Sequence, residues 1–120
     1  MSSNNRQRGH AWERSVINDF KKKTKFTEIV SSRYGSRMLD DMGVDIFGLP
    51  FNVQIKTLNT KPDILEILKK MPSGQDNLIV VKRTKKTLKG TFRELGRYVV
   101  LDYDYYFKLL NKSNEKDVSD

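Results

Sequence analysis

Apolar positions along the chain follow two rhythms, and the changes of rhythm mark the elements. From Gly9 to Lys22, the residues Trp12, Val16 and Phe20 recur every four positions with Ile17 beside them, the stripe of an amphipathic helix. From Phe26 to Val30 (FTEIV) the pattern alternates and carries β-formers, which predicts a strand. Ser31 to Gly43 contains two glycines and no sustained period, and reads as a long polar loop of the kind that often carries function. Val44–Phe47 and Phe51–Lys56 are two short strands joined through Gly48, Leu49 and Pro50, a hairpin. Pro62, ahead of ILEILKKM, predicts a helix that begins around Lys61–Asp63 and ends at Ser73-Gly74. The run Asn77–Lys82 (NLIVVK) is apolar enough for a central strand, and a basic turn follows it. Tyr98–Leu101 gives a further strand, and Asp102 or Asp104 caps a last helix through Tyr105 to Leu110. The order predicts an α/β sheet with helices packed on it.

Composition narrows the classes. A length of 120 residues fits one domain, over 1–111, and the polar segment 112–120 is expected to be a flexible tail. The absence of cysteine excludes disulfides, thiolate zinc sites and cysteine nucleophiles. With His10 as the sole histidine, a His-based metal site and a serine triad are excluded too. No phosphate-cradling GxGxxG or GxxxxGK[ST] motif occurs, so an NTPase is not supported. No apolar run approaches the ~20 residues of a membrane span, and Met1–Arg8 is polar, so a cytoplasmic protein is expected. The 23 Lys/Arg against 15 Asp/Glu give a charge of +8, which suggests an anionic partner, most often nucleic acid. Lys21, Lys22, Lys23 and Lys25 form one basic block; Lys82, Arg83, Lys85, Lys86 and Lys89 form another. Either block alone reads as a solvated turn, whereas two in so small a chain point to a phosphate-facing surface.

Two places carry candidate chemistry. Glu13 lies three, four and seven residues before Val16, Ile17 and Phe20, so a helix sets its carboxylate on or beside the buried stripe. A carboxylate there costs several kcal/mol unless compensated. An ion pair with Arg8 or Arg14 would compensate it, and so would a metal or an active-site cleft. In Phe51–Lys56, Phe51, Val53 and Ile55 alternate with Asn52, Gln54 and Lys56. If the hairpin loop has an even number of residues, Asp45 pairs opposite Gln54 and shares its face with Lys56; an odd loop undoes this. The alternative is an ordinary solvated hairpin face.

The sequences Gly43-Val44-Asp45-Ile46 and Val53-Gln54-Ile55-Lys56 resemble the core motif of PD-(D/E)XK nucleases. Arg8-Gly9-His10-Ala11-Trp12-Glu13-Arg14 and Ser32-Arg33-Tyr34-Gly35-Ser36-Arg37 resemble the first helix and the loop of archaeal-type and phage-encoded Holliday junction resolvases. The resemblance implies a restriction-endonuclease-like mixed β-sheet flanked by helices. The implied enzyme is a Mg²⁺-dependent endodeoxyribonuclease, with Mn²⁺ able to substitute, that cuts branched DNA as a homodimer. It would work in the cytoplasm, the host's if phage-encoded. By the same resemblance Glu13, Asp45, Gln54, Lys56 and Ser36 would form the catalytic set. Glu13, Asp45, Gln54 and the Ile55 carbonyl would hold the metal, with Lys56 as the catalytic lysine. Arg33 and Arg37 would contact DNA phosphates, and Arg8, Lys85 and Lys86 join them as basic DNA-binding candidates.

One position departs from that pattern. Gln54 stands where the family has Glu or Asp, and an amide oxygen brings no negative charge and cannot act as a base. The enzyme would then work with a Gln ligand, or Asp40 or Asp41 would stand in, or the protein would bind junctions and cut poorly or not at all. A nuclease of the same superfamily with another DNA substrate is the remaining expectation.

Overall fold

A computed structural model describes the backbone of residues 2–59 and 63–118, and the side chains of 9–59 and 63–112. The elements are α1 (Ser2–Lys23), β1 (Val30–Ser31), α2 (Ser32–Gly35), α3 (Arg37–Asp41), β2 (Ile46–Phe47), β3 (Asn52–Leu58), α4 (Ile64–Lys70), β4 (Asn77–Lys86), β5 (Phe92–Leu101) and α5 (Tyr103–Val118). The fold is mixed α/β: a three-stranded sheet in the order β3-β4-β5, with a separate two-stranded sheet of β1 and β2. β3 runs parallel to β4 and β5 antiparallel to it. A parallel pair needs a crossover, and α4 supplies it. Asp63 caps that helix, its carboxylate accepting from the Glu66 N–H at 3.2 Å.

Both faces of β4 are covered, which is why NLIVVK is apolar without alternation. On one face Trp12, Val16 and Ile17 of α1 pack with Val53, Leu78, Ile29, Ile46 and Tyr105. On the other, Ile79 and Val81 pack with Val44 and Met71, and the α4 residues Ile64, Ile67 and Leu68 close that layer. The Trp12 indole N–H donates to the Lys56 carbonyl at 3.1 Å and ties α1 to β3. Lys82 and Arg97, a cross-strand pair, set their cationic heads 5.1 and 5.0 Å from the same ring. Among the described residues no helix is long and apolar enough to cross a membrane.

Several expectations change. The strand over Phe26–Val30 contracts to Val30–Ser31, which pair only with Phe47 and Ile46. Phe26 instead packs edge-on against Phe51, with ring centres 6.0 Å apart. The loop 31–43 holds two short helices, because Ser31 and Ser36 each accept a backbone N–H and start one. The hairpin over 44–56 does not form a ladder: β2 pairs with β1, and β3 pairs with β4. Of the second basic block, Lys82, Arg83, Lys85 and Lys86 lie in β4 and Lys89 alone in the turn, and β5 begins at Phe92, six residues earlier than Tyr98. α5 continues to Val118, into the segment expected as a tail, where side chains beyond Lys112 lie outside the described residues.

Candidate active site

Asp45 sits at the open edge of β3, held there by its own backbone and side chain. Its N–H donates to the Val53 carbonyl at 2.7 Å, and its carbonyl accepts from the Ser32 N–H at 2.9 Å. Its carboxylate accepts from the Ile55 N–H at 2.7 Å. Asp45 therefore meets β3 through Val53 and Ile55, not opposite Gln54 as a ladder would place it. Because N–H and C=O of one strand residue project to the same side, the Ile55 carbonyl faces this edge as well.

The local field is acidic. Burial, above all, pushes the Asp45 carboxyl up to about 6 from its ordinary 3.8. The charges of Glu13 and Asp40 push the same way, while the Ile55 N–H and the Lys56 ammonium only partly oppose them. Glu13, Asp40 and Lys56 thus each lie within electrostatic reach of Asp45. Gln54 adds an oxygen: its Oε1 is buried and has no hydrogen-bond partner. Gly43 stands next to that amide, and its left-handed backbone at φ +77° calls for glycine, although a Cβ there would meet the Gln54 nitrogen at an ordinary 3.5 Å.

Glu13 is compensated by residues outside the expected pair. Its Oε1 accepts from the Ser31 hydroxyl at 2.5 Å and from the Arg33 guanidinium at 3.4 Å. Among the described residues Arg33, not Arg14, is the ion-pair partner, and it also stands 3.4 Å from His10 Nδ1. A cleft of about 280 Å³ opens beside this group, with Ser31, Arg33 and Tyr34 in its wall. Neither the Ser31 hydroxyl nor the Trp12 bond to Lys56 was part of the expected site. A serine directly before SRYG and a tryptophan in the α1 stripe were the only signals.

Other expected residues fall elsewhere. The Ser36 hydroxyl caps α3, accepting from the Leu39 N–H at 3.3 Å. Arg37 is exposed at the start of that helix, and Asp41 is exposed at its end. Lys85 and Lys86 are exposed at the far end of β4, beyond the last β3 residue paired with it. The Arg8 side chain lies outside the described residues.

An orphaned buried amide oxygen on β3, close to Gly43, and a half-buried, under-compensated carboxylate two residues further along the chain from that glycine are ligand types that suit a hard cation bound through oxygen. Among the described residues no three Asp, Glu, His or Cys side chains gather closely enough to bind a metal by themselves, so Gln54 and a backbone carbonyl would have to complete the ligand set. Comparison with family models, curated proteins and solved structures found no match.

Proposed function

We propose that this protein is a metal-dependent, structure-selective DNA endonuclease that resolves four-way junctions by paired phosphodiester cleavage. The observation that carries the reading is the β3 edge itself. There a carboxylate pushed up to about 6 lies in the field of a second carboxylate and a lysine, and the strand that holds it also carries a buried amide oxygen without a partner, at Gln54. The parallel β3–β4 pair with its α4 crossover, and the antiparallel β5, support a restriction-endonuclease-like version of the mixed sheet. The motif resemblance around Asp45 and Lys56 supports the same reading, with a homodimer placing two sites on opposed strands.

Asp45 would supply the charged oxygen, Gln54 and the Ile55 carbonyl neutral ones, and Glu13 a contact through water. Mg²⁺, or Mn²⁺ in its place, would supply positive charge against the charge that develops on the phosphate. Lys56 would orient the attacking water or offset charge on the phosphorane. Arg33 would exchange its bond to Glu13 for a bond to the DNA phosphate, releasing the carboxylate as substrate arrives.

A second reading rests on Gln54. With a neutral ligand at that position the protein would bind junctions and cut weakly or not at all. A labelled four-way junction and a matched linear duplex, incubated with Mg²⁺, Mn²⁺ or EDTA, separate these readings. Symmetrical nicks confined to the junction and abolished by EDTA are expected. Tight binding without cutting in either metal would favour the second reading, and equal cutting of the linear duplex would indicate a different nuclease substrate.

A further inference from the structure

The ladder between β3 and β4 ends at the pair Leu58–Arg83, but β4 and β5 continue to pair with each other to Lys86–Phe92. At ~3.3 Å per residue, this two-stranded ribbon carries Leu88 roughly 15 Å beyond the three-stranded sheet. Its tip is closed and ordered. Thr87 N–H donates to the Thr91 carbonyl at 2.8 Å, the Gly90 N–H donates to Thr87 at 3.0 Å, and the two threonine hydroxyls meet at 2.8 Å.

The charge on this ribbon is one-sided. From Lys82 to Arg97 the chain carries seven Lys/Arg and one acid, Glu94, a net +6 out of the +8 of the whole chain. Glu94 is already taken by Arg97 in a two-pronged pair at 2.9 and 3.1 Å. Lys85 stands directly opposite Arg93, a like-charge pair that destabilises an isolated ribbon. Lys85, Lys86, Lys89 and Arg93 are exposed and form no ion pair among the described residues. Leu88, at the tip, is fully exposed and packs on nothing.

We infer that the β4–β5 ribbon is a groove-entering arm for double-stranded DNA, with Lys85, Lys86, Lys89 and Arg93 on the flanking phosphates and Leu88 against the bases. A two-stranded ribbon matches the ~12 Å width of the major groove, and repeated phosphates supply the counter-charge that the Lys85–Arg93 pair lacks. An exposed leucine flanked by lysines suits a base edge better than it suits water. Lys85 lies four residues along β4 from Val81, the register partner of Lys56, so about 13 Å separates arm from cleft along the strand. That is under half of a ~34 Å helical turn, so one duplex arm can meet both. The inference shares its ligand with the nuclease reading but requires no cleavage.

The test is fluorescence anisotropy of the full chain with a labelled linear duplex in EDTA, from 50 to 200 mM salt. Replacing Lys85, Lys86, Lys89 and Arg93 together with Gln is expected to reduce the log–log salt slope by about 0.9 per lost contact. Leu88→Ala is expected to weaken binding several-fold with the slope unchanged. An unaltered slope in the quadruple variant would overturn the arm, whether or not the protein cuts junctions. Full affinity in Leu88→Ala would overturn groove entry. Should the quadruple variant not fold, Lys89→Gln alone, at the exposed tip, is expected to lose about 0.9 of the slope, and no loss would count against the arm. Anionic phospholipid vesicles competing as well as duplex would overturn the choice of DNA. A failure of junction cutting with the slope effect intact would count against the nuclease reading alone.

Discussion

Asp45 holds its carboxyl in a place that resists charge. Below about pH 4 its carboxyl is protonated in both folded and unfolded chains. Between there and about pH 6 the folded chain keeps a proton that the unfolded chain has released, so folded stability falls as pH rises through that window, by about 3 kcal/mol in all. Asp45→Asn is expected to remove this loss: in EDTA, urea unfolding of variant and wild type should agree near pH 4 and diverge in the variant's favour towards pH 7. Parallel pH profiles would contradict the assigned burial. At Gln54 the expected change concerns the cation. Gln54→Glu adds a carboxylate to β3, and is expected to lower the Mg²⁺ concentration needed for half-maximal cutting; an unchanged requirement would put that side chain outside the inner ligand set. The acidic residues themselves were legible, since Glu13 breaks an apolar stripe and Asp45 precedes a tight turn. Their partners were not. Ser31 and Arg33 reach Glu13 from 18 and 20 residues away, a distance over which periodicity carries no information.

Among the elements, helices with a strong stripe or a cap were readable and strand pairing was not. α1 follows from Trp12, Val16 and Phe20, and α4 follows from Pro62 ahead of ILEILKK, although Asp63 is the cap and the helix ends at Lys70, before Ser73-Gly74. The segment 31–43 read as loop because α2 and α3 are four and five residues long, too short to show a period, and depend on serine caps. That dependence is testable at Ser36. Losing the cap in Ser36→Ala is expected to cost about 1 kcal/mol in urea unfolding, and Ser36→Asp, an equally good cap, should recover it. If Ser36→Ala left stability unchanged, the hydroxyl would have another task and the resemblance-based role at the scissile phosphate would regain weight. The hairpin expected over 44–56 failed for a different reason. Alternation fixes which residues share a face, but it does not choose the neighbour: β4 took one edge of β3 across an intervening helix, while β2 paired with β1 and left Asp45 to meet the other edge.

For the molecule as a whole, β4 is the member on which both packed layers depend. Ile79 is fully buried between the sheet and α4, so Ile79→Ala is expected to destabilise by about 2–5 kcal/mol, read from the urea midpoint. A smaller loss would mean that the α4 layer closes without it. The same strand also links the two charged regions: its first half pairs with β3, which holds Asp45 at its other edge, and its second half forms the basic ribbon. The net charge of +8 was legible from composition, but its concentration on a projecting ribbon was not, because the second basic block looks the same in a turn as in a strand. The central claim is that the acidic β3 edge cleaves a phosphodiester with the help of a divalent cation. The most direct measurement is the single-turnover rate of nicking on a labelled four-way junction with Mn²⁺, comparing wild type with Asp45→Ala. Nicking by the wild type that falls at least ~100-fold in the variant is predicted, on the scale of losing one main electrostatic contributor to catalysis. Equal rates in the two proteins, or no nicking by either while both bind the junction, would contradict it.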